Sequence, residues 1–170
     1  DPDGPDLDYI IVGVHDFNKT GRAMYYEVMD RVVNGATLII LDQTGRWAQQ
    51  MDGIYSHKAI EYHRSFHWGN RGRLFVGNSD YLSGLPQAQS MNWEYQVFYK
   101  GDVWGIGMGS RGIEPIVCLA AEHRGEILNA LTRVPFGNGQ IFLCTLQVMR
   151  ELAADTPQSA VAKKLFFKPD

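Results

Sequence analysis

The stretch from Asp8 to Asp42 limits the possible folds more than any other part of the sequence. The apolar, β-branched run Asp8–Val14 is typical of a strand that is buried on both faces. After a polar break, apolar residues recur at helical spacing and end before Gly35, a residue that readily stops a helix. A second buried run, Ala36–Leu41, follows. Strand, helix and strand in this order predict a βαβ unit with two parallel strands.

Length and composition place the chain among soluble globular proteins. With 170 residues and 45% hydrophobic content, we expect one domain with a core of its own, spanning residues 1–170. A net charge of −3 without a basic block argues against a nucleic-acid partner. No apolar run approaches the roughly 20 residues that span a bilayer, so we expect no membrane segment. The chain opens on Asp1 rather than Met, which suggests a piece of a longer protein.

The remaining sequence predicts further elements around this unit. We expect a helix at Gln43–Gly53, an irregular excursion at Ile54–Arg73, strands at Arg73–Gly77 and Ile113–Ala120, hairpins at Tyr95–Ile106 and Leu128–Thr145, and closing helices at Leu146–Ala154 and Pro157–Phe167. Thr156 and Pro157 suit the N-cap and first position of the last helix. The predicted fold class is α/β, with a mainly parallel sheet and added β-hairpins.

Polar residues follow the first two predicted strands, and they are His15, Asp16, Asp42 and Gln43. Open parallel sheets bind ligands at the carboxyl ends of their strands, so these residues are candidates for a ligand crevice. Two acids and a histidine could perform acid–base chemistry or hold a polyol. The same residue types also cap the turns that follow strands, and capping is the simpler interpretation.

The two cysteines are weak candidates for a nucleophile. Cys144 lies where a strand passes into a helix, but its neighbours are not the glycines of a nucleophile elbow. Cys118 lies within a predicted strand, where a cysteine is usually buried packing. Two cysteines of this kind form no disulfide framework and leave the cellular compartment open, periplasm and secretion included.

Two other motifs match known sites by their letters alone. Gly107–Gly112 reads G-x-G-x-x-G, but the following segment is a predicted strand, whereas a dinucleotide site needs a helix there. His63 and His67, close to Glu61, have the His-x-x-x-His spacing that would place both imidazoles on one face of a helix, as in some zinc sites. The surrounding residues do not favour a helix, however, and no third ligand is evident. We therefore predict neither a nucleotide, a metal nor another cofactor.

Five short motifs of this sequence, taken together, resemble those of a known domain family. They are Val33–Leu41, Gly84–Pro86, Met91–Gln96, Gly137–Leu143 and Ala160–Leu165. Together they resemble a class I glutamine amidotransferase-like domain, of the kind found on the C-terminal side of large bacterial β-galactosidase-like (family 2) glycoside hydrolases. The resemblance covers most of the chain, although each motif is short.

The resemblance implies a three-layer, flavodoxin-like fold in which the amidotransferase chemistry is lost. Active relatives carry a Gly-x-Cys-x-Gly elbow and a late His-x-Glu pair, whereas this chain has no such elbow and its His123-Arg-Gly125 lacks the acid. No catalytic residue is carried over, and the glycosidase carboxylates would lie on another domain. Such domains usually begin with a further strand and helix before the strand at Asp8, which fits a fragment.

The first functional hypothesis is thus an accessory domain without chemistry of its own, which packs on the catalytic part of a hydrolase or on a sister subunit. Trp68, Trp93, Glu94 and Tyr95 are the candidates for that contact surface, together with the excursion Ile54–Arg73. One alternative is a small hydrolase that uses His15, Asp16 and Asp42. Another is a carbohydrate-binding module that uses exposed tryptophans, with Trp47, Trp68, Trp93 and Trp104 as the possible platform.

Overall fold

The computed structural model describes most of the first half of the chain and the strands of the second half. The described residues are 8–14, 16–51, 62–64, 74–91, 95, 104–107, 113–121, 126–146, 148–149, 153, 156–157, 159–160 and 163. The strands are β1 (Tyr9–Val12), β2 (Thr37–Ile40), β3 (Tyr62–Arg64), β4 (Leu74–Val76), β5 (Gln89–Ser90), β6 (Trp104–Gly107), β7 (Glu114–Ala121), β8 (Glu126–Phe136) and β9 (Gly139–Cys144). The helices are α1 (Phe17–Val33), α2 (Thr44–Met51) and a 3-10 helix (Asp80–Leu82).

The predicted βαβ unit is confirmed. β1 and β2 pair in parallel, from Tyr9 opposite Thr37 to Val12 opposite Ile40, and α1 connects them. Gly35 follows α1 with φ 123, a left-handed conformation that glycine adopts without a Cβ clash. The Asp8 carboxylate accepts hydrogen bonds from Arg31 near the end of α1, and this hydrogen bond raises the pKa of Arg31.

The α/β class is confirmed, but the mainly parallel, flavodoxin-like sheet is wrong. The nine strands run in the order β1-β2-β9-β8-β7-β4-β5, with β6 attached to β8 and β3 to β6. Only β1, β2 and β9 pair in parallel among the described strands, and every other pairing is antiparallel. An apolar run shows that a strand is buried on both faces and leaves its direction open, which is why the prediction failed.

Two apolar clusters cover the two faces of the sheet. Alternate residues of β2 point to opposite faces, so Leu38 and Ile40 pack with α1 and α2 on what we call the helix face. Ile39 and Leu41 lie on the opposite face, which we call the loop face. There the sheet packs against buried residues of the segment 77–91, here named the covering segment, and against Tyr95, Leu146 and Val148. The helices α1 and α2 therefore cover the helix face, and the covering segment covers the loop face.

The tip of the β8–β9 hairpin caps the end of α1. Asn138 N–H donates to the Val33 carbonyl at 3.0 Å, and Gln140 N–H donates to the Ala36 carbonyl at 3.3 Å. The first bond satisfies a carbonyl that the end of α1 leaves without an intrahelical partner, and the second ties the hairpin to the residue before β2. The approach is so close that a Cβ on Gly139 would lie 2.2 Å from the Ala36 carbonyl oxygen.

Most of the other predicted elements are confirmed within the described residues. The helix after Asp42, the strands at β4 and β7, and the hairpin with its Asn-Gly tip all form. In the predicted closing helix, the described residues 157, 159, 160 and 163 are helical, and Thr156 caps them, since its Oγ1 accepts from Ser159 N–H at 3.1 Å. The excursion predicted to be irregular contains β3, while residues 96–103 of the first hairpin lie outside the described part. None of the described helices has the length and apolar character needed to cross a membrane.

Candidate functional site

The predicted crevice residues follow the carboxyl ends of β1 and β2, as the parallel pairing requires. His15 lies outside the described residues. Asp16 is exposed just before α1, where its backbone carbonyl accepts from Lys19 N–H at 3.0 Å and its carboxylate is 3.7 Å from the Lys19 ammonium. These are the contacts of a residue at a helix start, so they support the capping interpretation of Asp16.

Asp42 and Gln43 are half-buried in the turn from β2 into α2. Gln43 has φ 48, and its carbonyl accepts from Arg46 N–H at 2.8 Å and from Trp47 N–H at 3.2 Å. The Thr44 hydroxyl donates to the Cys144 carbonyl at 2.6 Å and so joins the start of α2 to the end of β9. A shallow cleft of about 360 Å³ opens beside this turn, lined by Gln43, Gly45, Arg46 and Gln49. Its described lining contains no carboxylate, so it does not unite the predicted acids.

Both cysteines lack the features of a nucleophile. Cys144 is fully buried, and burial raises the pKa of its thiol to about 12, outweighing a backbone hydrogen bond with Leu146 that lowers it. Burial also raises the pKa of the half-buried Cys118, whose thiol lies 3.8 Å from the Asn129 side-chain oxygen. Catalytic thiols need a lowered pKa and access to substrate, so neither environment favours attack.

A polar network that the sequence analysis missed lies at the opposite end of the sheet. Thr37, Gln140, Arg133 and Glu114 come from four adjacent strands, β2, β9, β8 and β7, and form what we call the polar row. Gln140 donates to Thr37 Oγ1 at 3.2 Å and accepts from Arg133 Nε at 2.6 Å. Arg133 Nη1 in turn donates to Glu114 Oε2 at 3.0 Å.

Residues of the covering segment form hydrogen bonds and a cation–π contact with the polar row. The Tyr81 hydroxyl donates to Gln140 Oε1 at 3.1 Å, and the guanidinium of Arg133 lies 5.6 Å from the centre of the Tyr81 ring. Ser79 Oγ approaches Glu114 Oε1 at 3.4 Å. The one arginine of β8 and the one glutamine of β9 were the available signal, because a polar side chain in a largely buried strand needs a partner.

Between the covering segment and the start of β7, the structure forms an open cleft of about 530 Å³. Its lining residues are Asn78, Ser79, Asp80, Ser83, Gly84, Leu85, Gln87 and Glu114. The lining is rich in hydroxyl, amide and carboxylate groups, and Glu114 joins it to the polar row. Of the concave surfaces described, this cleft presents the most hydrogen-bonding groups.

The contact-surface candidates are only partly described. Trp68, Trp93 and Glu94 lie outside the described residues. Tyr95 is 0% exposed in the loop-face core, and its hydroxyl donates to the Pro86 carbonyl, so its side chain offers no surface to a partner. Trp47 is also buried, with its ring 5.5 Å from that of Tyr25, which removes it from any exposed sugar platform.

The motif matches of the sequence find no support as sites. β7 follows the glycine motif, so the helix that a dinucleotide site needs is replaced by a strand. His63 lies in β3, so the helical spacing proposed for His63 and His67 does not apply. Within the described residues, no three histidine, cysteine or acidic side chains are grouped as metal ligands would be.

Comparisons with known proteins give a fold and no family. Neither a protein-family model nor a curated protein matches this chain. Among solved structures, the exo-beta-1,4-mannosidase Op5Man5 from Opitutaceae bacterium strain TAV5 matches with a TM-score of 0.51 at 16% sequence identity. The match covers 97% of this chain and 26% of that protein. The fold of this chain therefore also occurs within a glycoside hydrolase, and at this identity the likeness shows the fold alone.

Proposed function

We propose that this chain is a non-catalytic accessory domain of a carbohydrate-active glycoside hydrolase, where it packs on other domains or on a sister subunit. The observation that carries the proposal is the structural match, which covers 97% of this chain but only 26% of an exo-beta-1,4-mannosidase. A fold that occupies a quarter of a longer hydrolase is expected to work beside other domains.

The edge of the described part of the sheet supports the packing role. β1 is the edge strand among the described strands, and its exposed side chains include Tyr9, 58% exposed, and Ile11, 48% exposed. The carbonyls of Asp8 and Val12 accept from β2, so the alternating backbone groups of Tyr9 and Ile11 point away from the sheet. Apolar side chains and outward backbone groups on an edge strand are the features that favour association.

The environment of the cysteines is compatible with a non-catalytic role. The protonated, buried thiol of Cys144 supplies no nucleophile at neutral pH. The finer assignment, an amidotransferase-like domain of a β-galactosidase-like family 2 hydrolase, depends on the sequence resemblance. That assignment has to accommodate a sheet in which three described strands pair in parallel, where a mainly parallel sheet was expected.

The proposal is tested by assaying the purified chain for hydrolysis of a panel of p-nitrophenyl glycosides and esters. We expect no turnover above background, and we expect Asp16→Ala and Asp42→Ala to change nothing. Turnover that both variants abolish would instead establish the small hydrolase. In parallel, the purified chain is titrated with the remaining polypeptide of its parent enzyme. Binding in trans supports the accessory role, and an absence of binding at micromolar concentration contradicts it.

A further inference from the structure

The cleft beside Glu114 has walls that are fixed before any ligand arrives. The Gln87 side chain makes two hydrogen bonds within the covering segment: its Oε1 accepts from Ser79 N–H at 2.7 Å, and its Nε2 donates to the Leu82 carbonyl at 3.0 Å. Leu82 itself is fully buried in the loop-face core. A preformed cleft avoids the entropy cost of ordering a loop on binding, which favours even weak ligands.

Glu114 supplies a carboxylate that is only partly used. Its Oε2 is held by Arg133 at 3.0 Å, while its Oε1 has a long contact of 3.4 Å with Ser79 Oγ. The Glu114 side chain is half-buried, so Oε1 retains capacity to accept a hydrogen bond from a group in the cleft. Asp80 contributes a second, exposed carboxylate on the covering segment.

The lining selects a class of ligand. None of the described lining residues is basic and two are acidic, so the lining itself offers no cation to pair with an anionic ligand. Hydroxyl groups of a sugar donate to the carboxylates and accept from the Asn78, Ser83 and Gln87 side chains. Leu85 offers an apolar patch to the C–H face of a ring. The volume lies within the roughly 300–1,000 Å³ that is typical of small-molecule sites.

We propose that this cleft, formed by Asn78–Gln87 and Glu114, binds a neutral sugar of one or two pyranose units. Glu114 Oε1 accepts from a sugar hydroxyl while Arg133 fixes the orientation of the carboxylate. The site is separate from the crevice at the carboxyl ends of β1 and β2. It does not depend on the accessory role proposed above, because the binding groups all belong to this chain.

The test uses the full 170-residue chain, labelled with nitrogen-15 and titrated with glucose, mannose, galactose and cellobiose. We expect at least one of these sugars to shift the backbone amide signals of Ser83 and Gly84 in a saturable way, at about 10 mM or below. Saturable shifts confined to residues outside the cleft, or no shift with any of the four, would overturn the proposal.

Variants locate the binding groups. Glu114→Gln removes the charged acceptor and should weaken binding about tenfold. Since this change also alters the ion pair with Arg133, Ser83→Arg serves as a second variant, which places a bulky cation at an exposed position in the lining of the cleft and should abolish binding. Asp16→Asn is the matched control and should bind as the unaltered chain does. Weaker binding by Asp16→Asn alone, or a cleft that responds to calcium chloride and to no sugar, contradicts the proposal.

Discussion

Cys144 shows how the position of one side chain decides its chemistry. Its sulfur lies in the loop-face core, where burial raises the thiol pKa from an ordinary value of 9.0 to about 12. Because the thiol pKa is higher in the folded state than in the unfolded state, the contribution of this thiol to stability is complete below pH 9. That contribution is lost as the pH rises from 9 towards 12. The reason is that the unfolded thiol ionises there while the folded one does not. We predict that the free energy of unfolding falls by about 1 kcal/mol per pH unit in this range.

Urea unfolding at pH 8, 9 and 10 measures this effect, and Cys144→Ala provides the reference, because tyrosines and lysines titrate in both proteins. The stability difference between the two proteins should shrink as the pH rises. A difference that stays constant from pH 8 to 10 would show that the thiol ionises equally in both states. It would also reopen Cys144 as a reactive group.

Gly139 is required by space, whereas Gly84 is required by backbone conformation. A Cβ on Gly139 would lie 2.2 Å from the Ala36 oxygen and 2.3 Å from the Val32 oxygen, and backbone atoms cannot yield as a flexible side chain does. At Gly84, with φ 84, a Cβ meets nothing within 4 Å. We predict that Gly84→Ala costs about 1 kcal/mol and that Gly139→Ala costs clearly more. Thermal unfolding compares the two, and equal costs would contradict the close approach of the hairpin to α1.

At the scale of elements, the sequence predicted strand positions well and strand directions poorly. The positions of β1, β2, β4, β7, β8 and β9 follow from apolar runs and turn residues. Direction depends on which strands become neighbours, and that is decided by tertiary packing. Turn residues were the local cues for two antiparallel hairpins. The Asn-Gly tip of the second was correct, and the turn of the first lies outside the described residues. The predicted crevice residues follow β1 and β2, the strands whose parallel pairing was predicted. The cleft of about 530 Å³ lies instead beside β7, which pairs antiparallel with β4 and β8.

The polar row could not be predicted for a related reason. Thr37 and Glu114 are distant in sequence from the hairpin residues Arg133 and Gln140, and the four meet only because β2, β9, β8 and β7 are adjacent. The cleft likewise needs the covering segment to cross the loop face, which no local pattern specifies. The sequence did indicate the capping contact of Thr156, because it depends on a neighbour three residues away.

The polar row makes a prediction about how the covering segment is held. Arg133→Met keeps the apolar length of the side chain but leaves the half-buried Glu114 without its cation, so it should destabilise the protein by about 1 kcal/mol. Arg31→Met is the matched control, since its ion pair with Asp8 is more exposed and should matter less. Chemical unfolding gives both values. A double-mutant cycle with Glu114→Gln should show coupling, and additive effects would mean that the ion pair contributes nothing.

At the scale of the whole molecule, the two ends of the sheet order differ. The short strand β5 pairs with β4 and has exposed polar residues, Gln89 and Ser90. Among the described strands, β1 ends the sheet on the other side, with Tyr9 and Ile11 exposed. An edge of mixed backbone donors and apolar side chains favours association, whereas a short polar edge does not. Association of this chain should therefore be directional and should proceed through β1.

We predict that the purified chain self-associates at high concentration when no partner covers β1, and that Ile11→Lys suppresses this association. The lysine places a charge on the edge strand, which is how natural sheets block edge-to-edge pairing. Ile127→Lys is the matched control, because Ile127 is 60% exposed but belongs to β8, which has β7 on one side and β6 on the other. Sedimentation velocity over a concentration series measures both variants. Equal suppression by the two changes would show that general surface hydrophobicity drives association, and a strictly monomeric unaltered chain would remove β1 as a docking edge.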